Sequence, residues 1–392
     1  MKRTKLLGMI SFIMFIAIAI CALFSGCKPM NDKDAIAEPT EAPTVKPKPV
    51  ANTPELTPTQ EPTQAPTPEP TPCPTSEPVT EVPTPEPSYD ANDIVLFSDQ
   101  SFEDAFRRNY GFTDRNILMS DILAITKLEI TSYGLKNIQD IALFKNLEEL
   151  NLSNNWISDV SPLSGLTKLR VLDLGYNYSI IVDISALEGL TDMRKLSLMG
   201  RTDTLSWDNR IIDISALAEM TKLEELNLAF NRIEDISVMK EFKNLKVLNL
   251  IENLVSDISA IAGLTKLEML YLSGNLISDF TALNGLKNLK DLSLGDNEFD
   301  EDGALDTMYD ALEGMKKLER LNLSNSGISS VERIKTLTSL KELLLFHNRI
   351  TDIFVLKELI NLERLCISYN PIPKAQIKLL QAALPGCYIV HD

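Results

Sequence analysis

Histidine is nearly missing from these 392 residues: only His347 and His391 occur. A Ser/His/Asp or Cys/His catalytic group would have to be built on one of the two, and zinc sites are equally short of ligands. Cysteine is scarce as well. Cys21 stands in an apolar N-terminal run, Cys27 just after it and Cys73 among prolines, which leaves Cys366 and Cys387 for the regular part of the chain. An exported chain with that usage is not held by disulfides. Lys and Arg total 38 against 55 Asp and Glu, a formal net charge of −17. Without Lys2, Arg3 and Lys5 the balance is 35 against 55, or −20. Nucleic-acid binding needs clustered basic residues, so no nucleic-acid partner is expected; the acidity serves solubility. Proline is confined: sixteen of 21 lie between Pro39 and Pro87, and only Pro162, Pro371, Pro373 and Pro385 follow.

These absences divide the chain into an apolar start, a proline-rich middle and a long regular remainder. Lys2, Arg3 and Lys5 precede the apolar run from Leu6 to Phe24, the order of charges and apolar residues in an export signal. The run ends Ser25-Gly26-Cys27, which resembles the bacterial lipobox, with Phe24 in place of the usual Leu. That resemblance implies lipidation of Cys27 and an anchor on the extracellular face of the cell membrane. The alternative is an uncleaved membrane helix, since the run approaches the ~20 residues that span a bilayer. Either reading places the remainder outside. Residues 33–88 have almost nothing apolar to bury and are expected to be a disordered Pro/Thr-rich stalk. In polyproline II, at about 3.1 Å per residue, they would reach on the order of 170 Å.

The remainder repeats. Leu147, Leu150, Leu152, Asn155, Ile157, Val160, Leu163 and Leu166 return 22 residues apart as, for example, Leu267, Leu270, Leu272, Asn275, Ile277, Phe280, Leu283 and Leu286. First positions fall at 125, 147, 169, 193, 223, 245, 267, 289, 318, 340 and 362, so seven of the ten spacings are 22 and the others 24, 30 and 29. Leu-x-Leu predicts a short strand with both leucines inward. Asn155, Asn177, Asn231, Asn253, Asn275, Asn297, Asn348 and Asn370 stand where the chain leaves that strand, and a buried amide there can satisfy backbone groups that no ladder reaches. Asp183-Ile184-Ser185, which recurs from Asp213 and Asp257, predicts caps for a short outer helical turn. One turn cannot close its own core, but eleven stacked turns can.

This 22-residue pattern resembles the leucine-rich repeats of the bacterial internalins over roughly residues 95–392. Phe97–Arg107 is similar to their helical N-terminal cap, and Ser120–Leu128 to its junction with the first turn. The resemblance implies an α/β solenoid, a leucine-rich-repeat horseshoe with parallel strands on the concave face and 3₁₀ turns on the convex face. The expected order is a signal peptide (1–26), stalk (27–88), helical cap (89–124), eleven repeats (125–372) and C-terminal cap (373–392). It also implies recognition of a protein or glycan by the concave side, in an adhesion-like role or as an envelope scaffold or regulator for another protein of the same cell.

Outward strand positions, and the residue before each Asn, include Tyr176, Phe230, Ile251, Met269, Tyr271, Phe346, His347 and Tyr369. They are expected to face solvent and form a ligand-binding patch. Trp207, on the insertion from Gly200 to Asp208, either contacts a ligand or folds back on the convex core. The acidic insertion from Glu298 to Asp306 partly matches a calcium loop, but Tyr309 occupies the place of the bidentate Glu, so a solvated loop leading into a helix from Ala304 to Leu312 is expected. Cys366, between inward Leu365 and Ile367, should face outward on the concave side, and Cys387 inward, so they should not pair. No catalytic residue, metal or cofactor is assigned, and an enzyme is not expected.

Overall fold

The structure, a computed structural model, describes residues 90–177, 181–201, 210–297, 299 and 303–392. Cys27, the proposed signal and stalk, and Trp207 lie outside the described residues, as do 298 and 300–302 of the acidic insertion. No helix among the described residues is long and apolar enough to cross a membrane.

Each Leu-x-Leu forms a strand of three residues: β1 Lys127–Glu129, β2 Glu149–Asn151, β3 Val171–Asp173, β4 Lys195–Ser197, β5 Glu225–Asn227, β6 Val247–Asn249, β7 Met269–Tyr271, β8 Asp291–Ser293, β9 Arg320–Asn322, β10 Glu342–Leu344, β11 Arg364–Cys366 and a closing β12 Tyr388–Val390. They make one parallel sheet in sequential order. The register aligns the central leucines, Leu150 with Leu172 and Leu248 with Leu270, so every turn projects the same side chain into the same layer. The connections between strands close the other side. Nine of the eleven connections between strands carry a 3₁₀ turn, and the remaining two carry α-helices, α3 (Ala304–Glu313) and α4 (Lys374–Ala383). The 29-residue spacing therefore holds the helix expected from Ala304, one residue longer than expected, and the convex side is not uniformly 3₁₀. The predicted Asp-x-Ser caps form as backbone bonds, Ser185 N to Asp183 Oδ1 at 2.8 Å and Ser259 N to Asp257 Oδ1 at 2.7 Å. The aspartate sits one residue ahead of the expected cap position, because Ser185 and Ser259 are themselves the first residues of their turns.

The N-terminal side of the core is covered by helix α1 (Gln100–Tyr110), which a short helix α2 (Met119–Leu123) follows; α1 is capped by Asp99, whose carboxylate accepts from Phe102 N at 2.9 Å. Phe102 and Phe106 present their rings to Phe144 of the first turn, with centroids 6.1 and 5.3 Å away, so the open end of the leucine layer meets aromatic surface rather than water. Buried Asp140 fastens the two parts by accepting from Ser98 N, Ser98 Oγ and Asp99 N at 2.9–3.0 Å.

The asparagine rungs are the internal polar skeleton. Asn275 Nδ2 donates to the carbonyls of Leu250 (2.9 Å) and Leu272 (3.0 Å), and its Oδ1 accepts from Val255 N (3.0 Å). Each rung thus binds its own turn and the preceding one. The geometry requires the residue just before the rung to turn back sharply. Among the described residues nine non-glycines have left-handed φ, from +54° to +64°, and each stands directly before a rung position: Tyr176, Phe230, Glu252, His347 and Tyr369 are among them. That conformation costs an L-residue on the order of 1 kcal/mol or more, sustained here by the rung's bonds. Asn275→Ala would strand three backbone groups and is expected to lower stability by about 1–3 kcal/mol, whereas the exposed Lys378→Ala should stay within about 0.5 kcal/mol; chemical denaturation compares the two.

Candidate functional site on the concave face

Three columns of side chains run across the concave face, set by the strand residues that flank each central leucine and by the residue three places after it. The middle column, the third residue of each strand, is buried in β5–β9 and β11, contrary to the expectation that it faces solvent; it is half-buried in β2–β4, β10 and β12 and exposed in β1. On the inside of a curve the side chains of neighbouring turns converge, and the flanking columns cover the middle one. Tyr271 is only 4% exposed and Ile251 7%; Phe230, before its rung, is 5% exposed. Tyr271 donates its hydroxyl to Asp291 Oδ2 at 2.9 Å, and Asp291 receives Arg320 Nε at 2.7 Å. Burial, then the Asp291 carboxylate, pushes the Tyr271 phenol up. That is a satisfied structural network. A recurring signal for this burial was present in the sequence: Asn151, Asp173, Asn227, Asn249 and Asn322 occupy the same column, and each accepts a hydrogen bond from the backbone two residues on, at 2.8–3.2 Å. Cys366 lies in this column too and is buried rather than open to the concave side; burial raises its thiol, which removes its reactivity. Cys387 points into the core as expected, and both thiols are free.

Three of the expected residues do come together. Phe346, His347 and Tyr369 form a cluster at the C-terminal end of the face. His347 and Tyr369 are stacked, with ring centroids 5.0 Å apart and planes 10° apart; Phe346 meets them edge-on at 5.0 and 5.2 Å. The stacking follows from the repeat: His347 and Tyr369 occupy the left-handed position in successive turns and leave the backbone in the same direction. Tyr369 is 60% exposed. Tyr176 and Met269 are half-buried in earlier turns and do not join this cluster.

A charged group that the sequence did not flag occupies the same left-handed column in the central turns. Glu252 lies over Gly274, whose φ is +70° and where a Cβ would come within 2.6 Å of Glu252 Oε1. Asp296 stands two turns on from Glu252, one beyond Gly274, and accepts from Asn325. Arg210, 6% exposed, donates to the carbonyls of Phe230 at 2.9 Å and Arg201 at 3.0 Å. Burial, reinforced by Asp296 and opposed by Arg210, pushes the Glu252 carboxyl up to about 7. At the acidic insertion, Tyr309 is not oriented as a ligand: its hydroxyl donates to Ser330 O at 2.6 Å, and burial pushes it up to about 12. Among the described residues no group of three or more His, Cys, Asp or Glu is placed to hold a metal.

Family models described as leucine-rich repeats match residues 145–189 and 265–307 (two copies) and 221–277. The crystal structure of internalin inlF from Listeria monocytogenes is 30% identical, covers 75% of this chain and 88% of its own, and superposes with a TM-score of 0.63. The chain belongs to the internalin family. The functional domain of InlJ from the same organism shares the fold at 16% identity and a TM-score of 0.52, covering 78% of this chain and 72% of its own. Internalin C2 of Listeria monocytogenes is also similar, at 27% identity over 64% of this chain and 94% of its own, with a TM-score of 0.49. No curated protein sequence matches.

An internalin-type repeat is in general a non-enzymatic protein-binding scaffold. Glu252 generates a pH dependence. Its carboxyl is raised in the folded state from 4.5 to about 7, so the fold binds its proton more tightly than the unfolded chain does. Its contribution is most favourable below pH 4.5, is lost as pH rises to about 7, and is constant above that. Glu252→Gln is therefore expected to raise stability at pH 8 by about 2 kcal/mol and to change it little at pH 4. Equal denaturation midpoints at pH 8 would show that the carboxylate is not held in that environment.

Proposed function

We propose that the chain is a lipid-anchored, surface-exposed binding module that captures a protein or glycan on its concave face. Export by residues 1–26, lipidation at Cys27 and elevation on the stalk 27–88 deliver the repeat domain beyond the envelope. The observation that carries the binding reading is the cluster of Phe346, His347 and Tyr369, stacked at the edge of the concave face of an internalin-family solenoid. Rigid aromatic side chains supply contact area at low entropic cost, and they serve as anchors at the centres of interfaces. The repeat needs only a backbone turn at positions 347 and 369; nothing in its packing asks for a ring there.

That independence makes the reading testable without disturbing the fold. Tyr369→Gly removes the ring and relieves the left-handed backbone, so it is expected to keep or raise the melting temperature. Combined with Phe346→Ser it should weaken capture of the principal partner from envelope or host-cell extracts about thirtyfold or more. Tyr271→Ala should instead lower the melting temperature, because it opens a cavity and leaves Asp291 short of a donor. Retention of every partner by the folded Phe346/Tyr369 variant would place binding elsewhere. For the anchor, Cys27→Ser is expected to abolish incorporation of labelled fatty acid and to release the chain from membranes; unchanged labelling would refute Cys27 as its site.

A further inference from the structure

The edge at which the chain enters its strands carries a second regular system, separate from the concave face. Two residues before the central leucines stand Glu224, Lys246, Glu268, Lys290, Glu319, Lys341 and Glu363 in successive turns, strictly alternating in sign. Lys246 pairs with Glu224, Lys290 with Glu268 and Lys341 with Glu319, each at 2.7 Å. Two residues earlier again, a lysine reaches back to an asparagine of the preceding turn: Lys168 to Asn146 at 2.6 Å, Lys266 to Asn244 at 2.8 Å, and Lys317 to Asn288 at 2.7 Å. The charges of the first column are thereby paired, while the lysines of the second are held by neutral amides and keep their charge.

The pattern stops after Lys317. The next turn has Ser339, whose short side chain donates to Lys316 O at 2.8 Å, and the one after has Asn361. The connection through α3 also adds Lys316 beside Lys317. Together these changes leave a cavity of about 450 Å³ bordered by Lys290, Lys316, Lys317 and Lys341 against Glu319 and Glu363, with Ser339 and Asn361 in its wall. Four ammonium groups against the carboxylates of Glu319, Glu363 and Glu268, the last paired with Lys290, leave a local surplus of +1 in a chain whose net charge is −17. Three of the ammonium groups are held in place by Glu268, Asn288 and Glu319, each bond using one of three N–H donors. The fourth, Lys316, has only a 3.4 Å contact with Thr336 O. The lysines are thus preorganised around a concavity and keep donors to direct into it.

We infer that this pocket binds a phosphate or sulfate ester carried on a sugar or polyol. A surplus of positive charge matches a tetrahedral oxyanion, singly charged in a sulfate ester and up to doubly charged in a phosphate ester, for which ammonium groups act as point-charge partners. The volume exceeds that of a bare ion and leaves room for the carrier, whose hydroxyls would meet Ser339 Oγ and the Asn361 amide oxygen. The pocket lies two to five residues before the central leucines, whereas the aromatic cluster lies three to four after them, so the two are at opposite ends of the strands.

Isothermal titration of the full chain at constant ionic strength tests the assignment, with glucose 6-phosphate, N-acetylglucosamine 6-sulfate and plain glucose as probes. Saturable binding of at least one ester with a Kd of about 1 mM or tighter is expected, and no response to glucose; the stronger ester identifies the source. Lys316→Gln/Lys317→Gln should weaken binding about tenfold or more, while Lys246→Gln, on the same edge but away from the pocket, should leave it unchanged. If the double variant does not fold, Lys316→Met, which gives up only one long contact, is expected to weaken binding at least threefold. Failure of both esters to saturate, equal loss in Lys246→Gln, or unchanged affinity in a folded pocket variant would each overturn the site.

Discussion

A parallel stack of three-residue strands would leave one set of backbone groups unanswered at every exit from the sheet, and the asparagine rung answers them. Asn155 Nδ2 donates to Ile130 O and Leu152 O at 2.7 and 3.0 Å, while its Oδ1 accepts from Tyr133 N and Leu135 N at 3.2 and 3.1 Å. A fully buried amide that makes four such bonds is tolerable only because each is made, and the cost of an unmade one is what fixes the turn. The leucine layers supply most of the favourable burial, but without the rung the chain could not leave the strand and remain inside.

The rung also decides what the surface can carry. Because it forces the preceding residue into a left-handed turn, it creates a column of side chains that leave the backbone in parallel at every repeat. Where successive turns place rings there, as at His347 and Tyr369, they stack. Where acids stand two turns apart across Gly274, as at Glu252 and Asp296, burial and then the second carboxylate raise a carboxyl. The strain of these positions is a property of the scaffold; its functional consequence comes from which residues occupy them.

The opposite end of the strands works by charge. Alternating Glu and Lys across neighbouring turns neutralise one another pair by pair, each pair contributing little alone in solvent. Their value is as a regular background against which a departure stands out. One departure, at Lys316, Lys317 and Ser339, coincides with the helix α3 that interrupts the 3₁₀ series. The two ends of the strands thus present different chemistries, aromatic at one and cationic at the other.

The repeat period, the inward leucines, the rung asparagines and the helical cap were all legible in the sequence, because a 22-residue spacing and a period-2 strand are local patterns that only one architecture closes. The same spacing named the residue before each Asn, and so His347 and Tyr369, with Phe346 beside them. It could not show that Tyr271 and Ile251 are covered. An alternating strand distinguishes inward from outward, but how deeply an outward side chain is buried depends on curvature and on the length of its neighbours in adjacent turns. Nor could it show Arg210 reaching Phe230 O, Glu252 lying over Gly274, or four lysines bordering one cavity, since those residues are separated by 20 positions or more, or belong to turns of unequal length. Sequence alone determined the fold and its polar skeleton; tertiary stacking decided which of the outward residues are surface, because only stacking sets their distances.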